Sequence, residues 1–258
     1  DELLSESGMR HHPLTPMTDA NLQRVLQAQT RCKVGLIDHQ AVAAGAEAIR
    51  ARIRALRAEG VGMAIVDAVS NDDLWRLGPA LADLPLVTAG SGVAIALPAN
   101  FGLAPSSQAA ALPAASGRQA VLSGSCSQAS QAQVAHFIAG GLPALALDPL
   151  RIADGEDVAA EALAWAQEHL NTNGPVLIYS TAAPSVVEAV QQRLGVARAG
   201  ELVEQTLATI ARGLVDLGVR QLVLAGGETS GACVQALDIA QLRIGAQIDP
   251  GVPWCHAV

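Results

Sequence analysis

Residues 222–231 read LVLAGGETSG, an apolar run that stops at a glycine pair and restarts as a hydroxyl-rich helix start. A chain built from such strand–turn–helix steps folds into parallel strands joined by right-handed crossovers, with its loops at the strand ends. The glycines let a ligand approach the backbone closely. The first turn of the following helix leaves N–H groups without intrahelical partners, at the positive end of the helix dipole. Phosphate is the guest that this geometry selects.

The same step recurs along the chain. Residues 18–30 read as a helix capped by Thr18 or Asp19, and residues 34–37 as a strand. Residues 42–59 carry Ile49, Ile53 and Leu56 at helical spacing and end at Gly60. A strand at 63–66, a helix at 71–81 capped by Asn71 or Ser70, and a third short strand at 86–87 follow. Residues 99–118, rich in small residues, proline and serine, read as a linker. The boundary falls there, dividing the chain into 1–103 and 104–258. The alternation then resumes: strand 120–122, helix 130–138, strand 144–147, helix 156–170 capped by Asp154, and strand 175–179. Helix 202–217, strand 221–224, helix 229–237 and a β-like tail at 242–248 complete it. The expectation is two layered α/β domains with mostly parallel sheets. The first is expected to be incomplete, because residues 1–8 carry neither period and the chain opens without Met. Ligand sites belong beyond the carboxyl ends of the strands.

Composition excludes several classes. The 258 residues carry a net charge of −8, with no basic stripe and 2% aromatics, against nucleic acid as a partner. No apolar stretch approaches the ~20 residues of a membrane helix, and the N-terminus is not a signal peptide. Cys32, Cys126, Cys233 and Cys255 lack CxxC or close Cys/His spacing, so no metal centre is expected; they read as scattered buried thiols in a reducing cytoplasm. Lys33 is the only lysine, which excludes GxxxxGK[ST] and makes Schiff-base chemistry a poor fit. GxGxxG and GxSxG are absent as well.

Four segments carry candidate chemistry. Gly226, Gly227, Glu228, Thr229, Ser230 and Gly231 read as a phosphate cradle, with Glu228 able to help coordinate Mg²⁺; the plainer reading is a turn capped by Thr229 or Ser230. Ser123-Gly-Ser-Cys-Ser127 is a second strand-to-helix turn. If its strand lies beside that of Val223, Ser125 and the glycine pair face one crevice; otherwise Ser127 is simply a cap. Ser91 and Gly92, in TAGSG, suit a carboxylate or phosphate, or a cap. Arg10, His11 and His12, between prolines, offer an acidic substrate a cationic partner, or form a solvated connection. Trp254 reads as packing, with an adenine ring as the other partner.

Taken together, MRHHPLTPMTDANL, VTAGSG, VLSGSCS, GGETSGACVQAL and the LRIG…IDPGVPW tail resemble the four-carbon acid sugar kinase family, in its 3-oxo-tetronate branch, over nearly the whole chain. The resemblance implies a sugar-acid-binding domain, here its C-terminal part at 1–103, and a nucleotide-binding domain at 104–258. It implies transfer of the ATP γ-phosphate to the terminal (C4) hydroxyl of a four-carbon sugar acid such as 3-oxo-tetronate. Ser125 and Gly226, Gly227, Glu228 and Thr229 match positions that contact ATP. Family chains carry an ADDFTGA-type motif near their start and a GNFG-type loop past GVPW, and neither is in this sequence. Most substrate contacts and the catalytic acid/base therefore go unassigned, and these residues alone are not expected to form a competent kinase. A homodimer is among the expected assemblies. The competing reading is a non-catalytic α/β module that binds a nucleotide or small anion.

Overall fold

The computed structural model describes residues 2–11, 15–170, 174–182, 184–249 and 251–258, apart from the side chains of residues 11, 109, 184–186 and 188. The chain forms two compact units, Asp1–Ala111 with Ile244–Trp254, and Leu112–Arg243 with Cys255–Val258. The sequence had put the boundary after Leu103.

The first unit begins with α1 (Leu22–Gln27), shorter than the expected helix at 18–30. Its cap is Asn21, whose side chain accepts from the Arg24 amide, rather than Thr18 or Asp19. Asp19 instead accepts the Asn21 amide and pairs with Arg24. Strand β1 (Lys33–Ile37) pairs in parallel with β2 (Val61–Val66). The outer edge of β1 is closed by side chains. Gln27 accepts the Val34 amide at 2.9 Å and Gln23 donates to the Val34 carbonyl at 2.8 Å.

The helix expected at 42–59 is two helices, α2 (His39–Ala43) and α3 (Ala46–Ala58). Gly45, with φ 94°, breaks it: in this left-handed region glycine carries no Cβ penalty. Helix α4 (Asn71–Ala80) opens with a reciprocal cap in which Ser70 accepts the Asp73 amide and Asp73 accepts the Ser70 amide. Ile37, Val42, Ile49, Leu56, Leu77 and Ala80 form the core. Residues 86–87, expected as a third strand, pair with no strand; Leu86 is exposed.

In the second unit, β3 (Arg118–Ser123) leads into α5 (Gln128–Ala139) and β4 (Ala144–Ala146). Then come α6 (Pro149–Ala153), α7 (Val158–His169), β5 (Val176–Tyr179), α8 (Pro184–Leu194), α9 (Val196–Asp216), β6 (Val219–Ala225) and α10 (Gly227–Ala236). The cap of α7 is Asp157 rather than Asp154, which ends α6. The sheet order is β4-β5-β3-β6, and every pairing is parallel. Parallel strands covered on both faces read as apolar runs, which is why Val176, Leu177 and Ile178 of β5 are all buried. Leu207, Ile210, Ala211 and Leu214 line one face of α9 and pack with Ala120, Leu122 and Ile178 of the sheet and Ala162 and Ala166 of α7. A Cβ on Gly213 would lie 2.4 Å from Leu163, so its missing side chain lets α7 and α9 pack closely. The tail is β7 (Leu242–Asp249) paired with β8 (Val252–Ala257).

Asp73 is the buried charge of the first unit. The Val69 amide, then Ser70, Arg76 and His39, hold its carboxyl down at about 2, against burial, which raises it. An unfolded aspartate titrates near ~3.9. The ionised group therefore stabilises the fold above about pH 4, and that contribution is lost as pH falls through about 2. Thermal melts followed by circular dichroism between pH 7 and pH 2 are expected to show an acid-side decline that Asp73→Asn flattens, with the variant already lower in midpoint at pH 7.

Candidate functional site

The connection from β3 runs to β4, two places to one side, while the connection from β5 passes over β3 to β6 on the other side. Right-handed crossovers that travel in opposite directions put their helices on opposite faces. Helix α10 packs against α9, the helix that leads into β6, so the turn after β6 runs to that face and the turn after β3 to the other. This leaves a crevice at the carboxyl ends of these two strands, the place where open α/β sheets hold ligands. The condition set by the sequence, that the strand of Ser123 lies beside that of Val223, is met.

The register sets Tyr179, Ser123 and Ala225 level across β5, β3 and β6. One step further, the Ala225 carbonyl accepts both the Gly124 amide at 3.0 Å and the Ser125 amide at 3.1 Å. On the other side the Ser180 amide donates to the Ser123 carbonyl at 2.9 Å, and the Ser123 and Thr181 hydroxyls bond at 2.7 Å. Three strand ends are thus tied into one rim. The ties occupy the backbone donors of Gly124 and Ser125, so an incoming anion finds its main-chain donors on the β6 side.

There α10 starts without a side-chain cap. Its N-cap is Gly226, with φ 128° and no side-chain bond. Neither Thr229 nor Ser230 caps the helix, so the plainer reading of this turn is corrected. The Ser230 amide and hydroxyl both donate to the Gly226 carbonyl, at 2.9 and 2.6 Å. Ser230 therefore has no spare proton for an anion, while the amides of Gly227, Glu228 and Thr229 precede the first intrahelical bond. Thr229 is 3% exposed, and its hydroxyl makes no hydrogen bond among the described residues. It lies between the glycines of the two turns: an added Cβ would meet Thr229 Oγ1 at 2.2 Å from Gly124 and at 2.9 Å from Gly226. On the β3 side, Ser127 caps α5 by accepting the Ser130 amide at 3.1 Å. Ser125 Oγ accepts the Ser127 amide at 3.4 Å and keeps its own proton.

Glu228 is exposed in the first turn of α10. Burial first, then the charges of Glu228 and Glu201, push the Glu204 carboxyl above its ordinary range. An open depression of about 440 Å³ between α9 and α10 is lined by Glu201, Glu204, Gln205 and Gln235, and by none of the turn residues. No group of three or more His, Cys, Asp or Glu that could hold a metal ion occurs among the described residues. Of the four thiols expected to be buried only Cys233 is, and burial pushes it up to about 11; Cys126 is partly covered, and Cys32 and Cys255, on or beside short two-stranded sheets, are exposed.

The first-unit candidates lie apart in their own unit. Arg10 is exposed in a 3₁₀ turn, Gly8–His11, which also contains the His11 backbone; His12 lies outside the described residues. Ser91 and Gly92 open the exposed turn Ser91–Ile95, whose N-cap Gly90 makes no side-chain bond. Trp254, read as packing, is 47% exposed on β8. Sequence reasoning did not single out Gly124, Ser180 or Thr181 as site residues. Their signal was a small or hydroxyl residue directly after each parallel strand.

Two family models match the chain. Residues 120–258 match a model described as a nucleotide-binding C-terminal domain, and residues 1–97 one described as a sugar-binding N-terminal domain. The 3-oxo-tetronate kinase of Pseudomonas fluorescens is 57% identical over 256 residues, covering 98% of this chain and 59% of the relative. That of Cupriavidus necator is 59% identical over 257 residues, with the same coverage of 98% and 59%. A solved Salmonella typhimurium structure aligns with a TM-score of 0.74 and 38% identity, over 100% of this chain and 61% of its own. A Haemophilus influenzae structure does so with a TM-score of 0.62 and 39% identity, over 100% and 62%. The chain thus spans about three fifths of the length of the curated relatives it matches.

The contact of Thr229 with both turns has a direct test. Gly124→Ala is expected to destabilise the second unit by about 1–3 kcal/mol through overpacking. Thr229→Ala in the same chain is expected to relieve most of that loss. Urea unfolding of the two single variants and the double variant measures the coupling; additive losses would contradict the contact.

Proposed function

We propose that this chain, which belongs to the four-carbon acid sugar kinase family, works in ATP-dependent phosphorylation of the C4 hydroxyl of a four-carbon sugar acid such as 3-oxo-tetronate. The observation that carries the reading is the β3–β6 crevice. It combines uncapped amides at a helix start, a largely covered hydroxyl with no hydrogen-bond partner among the described residues and a glycine-lined approach. That set suits an anionic phosphate tail, and it lies within the residues that match the nucleotide-binding model.

Phosphoryl transfer asks a protein mainly for positioning and charge stabilisation. In this reading the amides of Gly227, Glu228 and Thr229 and the hydroxyls of Thr229 and Ser125 hold ATP phosphate oxygens. Gly226 and Gly231 keep the backbone approach clear, and Ser230 braces the turn through the Gly226 carbonyl. Magnesium commonly takes one or two carboxylates and completes its shell with phosphate oxygens and water. Glu228, an exposed carboxylate in the first turn of α10 with Glu204 nearby, is the residue that would take that role. The metal would supply charge neutralisation on the phosphates. The residues 1–103 contribute to the sugar-acid domain, with Arg10, His11, His12, Ser91 and Gly92 as candidates for contacts to the acid. Cytoplasmic location and a homodimer complete the reading; no helix among the described residues is long and apolar enough to cross a membrane.

The whole protein carrying this chain is expected to release ADP, in a coupled assay, only when a tetronate-type acid is present. Nucleotide binding without turnover on every four-carbon acid would contradict the activity. Gly227→Val is expected to abolish ATP binding at an unchanged thermal midpoint, since an added Cβ there meets nothing within 4 Å and valine is a better helix former than glycine. Ser125→Ala is expected to weaken ATP binding by about 1 kcal/mol, one neutral hydrogen bond. Displacement of a fluorescent ATP analogue reads both.

A further inference from the structure

Among the described residues, the buried polar residues of the second unit are Ser123, Ser130, Ser180 and Thr229. All four carry hydroxyls, and all lie at or just past the carboxyl ends of β3, β5 and β6. Two are accounted for within the protein: Ser123 bonds Thr181, and Ser130 bonds Ser127. The other two, Thr229 and Ser180, are 3% and 8% exposed, and their hydroxyls make no hydrogen bond among the described residues. No sealed side-chain nitrogen or oxygen among those residues lacks a partner, so both hydroxyls open toward the surface. A hydroxyl that is nine-tenths covered yet open to the surface has a hydrogen bond to give to water or to a ligand that displaces it.

The level of Ser180 in the sheet is the second observation. Tyr179, Ser123 and Ala225 are in register. Ser180, Gly124 and Gly226 therefore form the next row, and the Ser180 and Gly124 amides each donate to the carbonyl that ends the neighbouring strand. Gly124 and Gly226 are the two glycines that flank the Thr229 hydroxyl. Among the described residues this row thus carries one unpartnered hydroxyl at Ser180, beside Gly124, and a second, that of Thr229, packed against Gly124 itself. Neighbouring strands lie about 4.8 Å apart, so Ser180 stands one strand spacing from Gly124. The space of a Gly124 side chain is taken by Thr229 Oγ1 and Leu207 Cδ1, and the two hydroxyls are therefore neighbours.

We propose that Ser180 is a further ligand-contacting residue, whose hydroxyl donates to an oxygen of the phosphate chain beside the one held at Thr229. The proposal rests on the nucleotide reading above and extends the site from β6 across β3 to β5. It assigns Ser180 binding of the polyphosphate and no part in binding the nucleoside.

The experiment is Ser180→Ala, with ATP and adenosine affinities measured by calorimetry beside the unaltered protein and Gly227→Val. Loss of one neutral hydrogen bond is expected to weaken ATP binding about fivefold. Adenosine affinity and the thermal midpoint are expected to stay unchanged, because the hydroxyl has no protein partner to lose. Unchanged ATP affinity in Ser180→Ala, with Gly227→Val binding no ATP, would overturn the role of Ser180 and leave the nucleotide site standing. An equal fall in ATP and adenosine affinity with a lowered midpoint would also overturn it, as the mark of a purely structural serine. An unaltered protein that binds neither ligand would remove the nucleotide reading and this proposal with it.

Discussion

The site depends on one acceptor, the carbonyl of Ala225. It takes the amides of both Gly124 and Ser125, and so fixes the turn after β3 against the turn after β6. Two turns that leave the sheet toward opposite faces would otherwise be independent loops. With the tie in place the glycines of both turns close around one threonine side chain, and Thr229 stays buried at the bottom of the crevice. The arrangement is rigid for a reason that is local and cheap: parallel register alone brings Ala225 level with Ser123.

The division of donors follows from that tie. Backbone amides on the β3 side are consumed in holding the rim together, while those on the β6 side stay open because α10 begins at a glycine that has no side chain to cap it. Serine, threonine, asparagine or aspartate at an N-cap would place an acceptor over those amides. A glycine with φ 128° leaves them uncovered. Like α10, α3 and α9 open at a glycine, Gly45 and Gly195, with no side-chain cap, whereas Asn21, Asp38, Ser70, Asp148 and Asp157 each accept an amide of the helix they open. Ser127 does the same for α5, which leaves Ser125 as the hydroxyl of that turn with a proton to offer.

Much of this was legible in the sequence. The apolar run at 176–178 is buried on a parallel strand, so its composition announces it, and glycine after a strand announces a turn that backbone or ligand approaches closely. Strand order was not legible. The text LVLAGGETSG and VLSGSCS says nothing about adjacency, and only the pairing of β3 with β6 makes them one site. Breaks inside helices were missed where one residue decides: Gly45 divides a stretch with continuous helical spacing, and periodicity does not register a single φ. Helix α8 and the first turns of α9 were missed, although α9 buries one continuous apolar face. Residues 86–87 looked like a strand on apolarity alone, but a strand exists only through a partner, and Leu86 has none.

The central claim is that a phosphate chain lies over the carboxyl ends of β3 and β6, against the first turn of α10. Its most direct measurement is a crystal structure with a non-hydrolysable ATP analogue. Triphosphate density within hydrogen-bond distance of the Gly227, Glu228 and Thr229 amides is the expected result. Density confined to the depression between α9 and α10, with the Thr229 hydroxyl untouched, would contradict it.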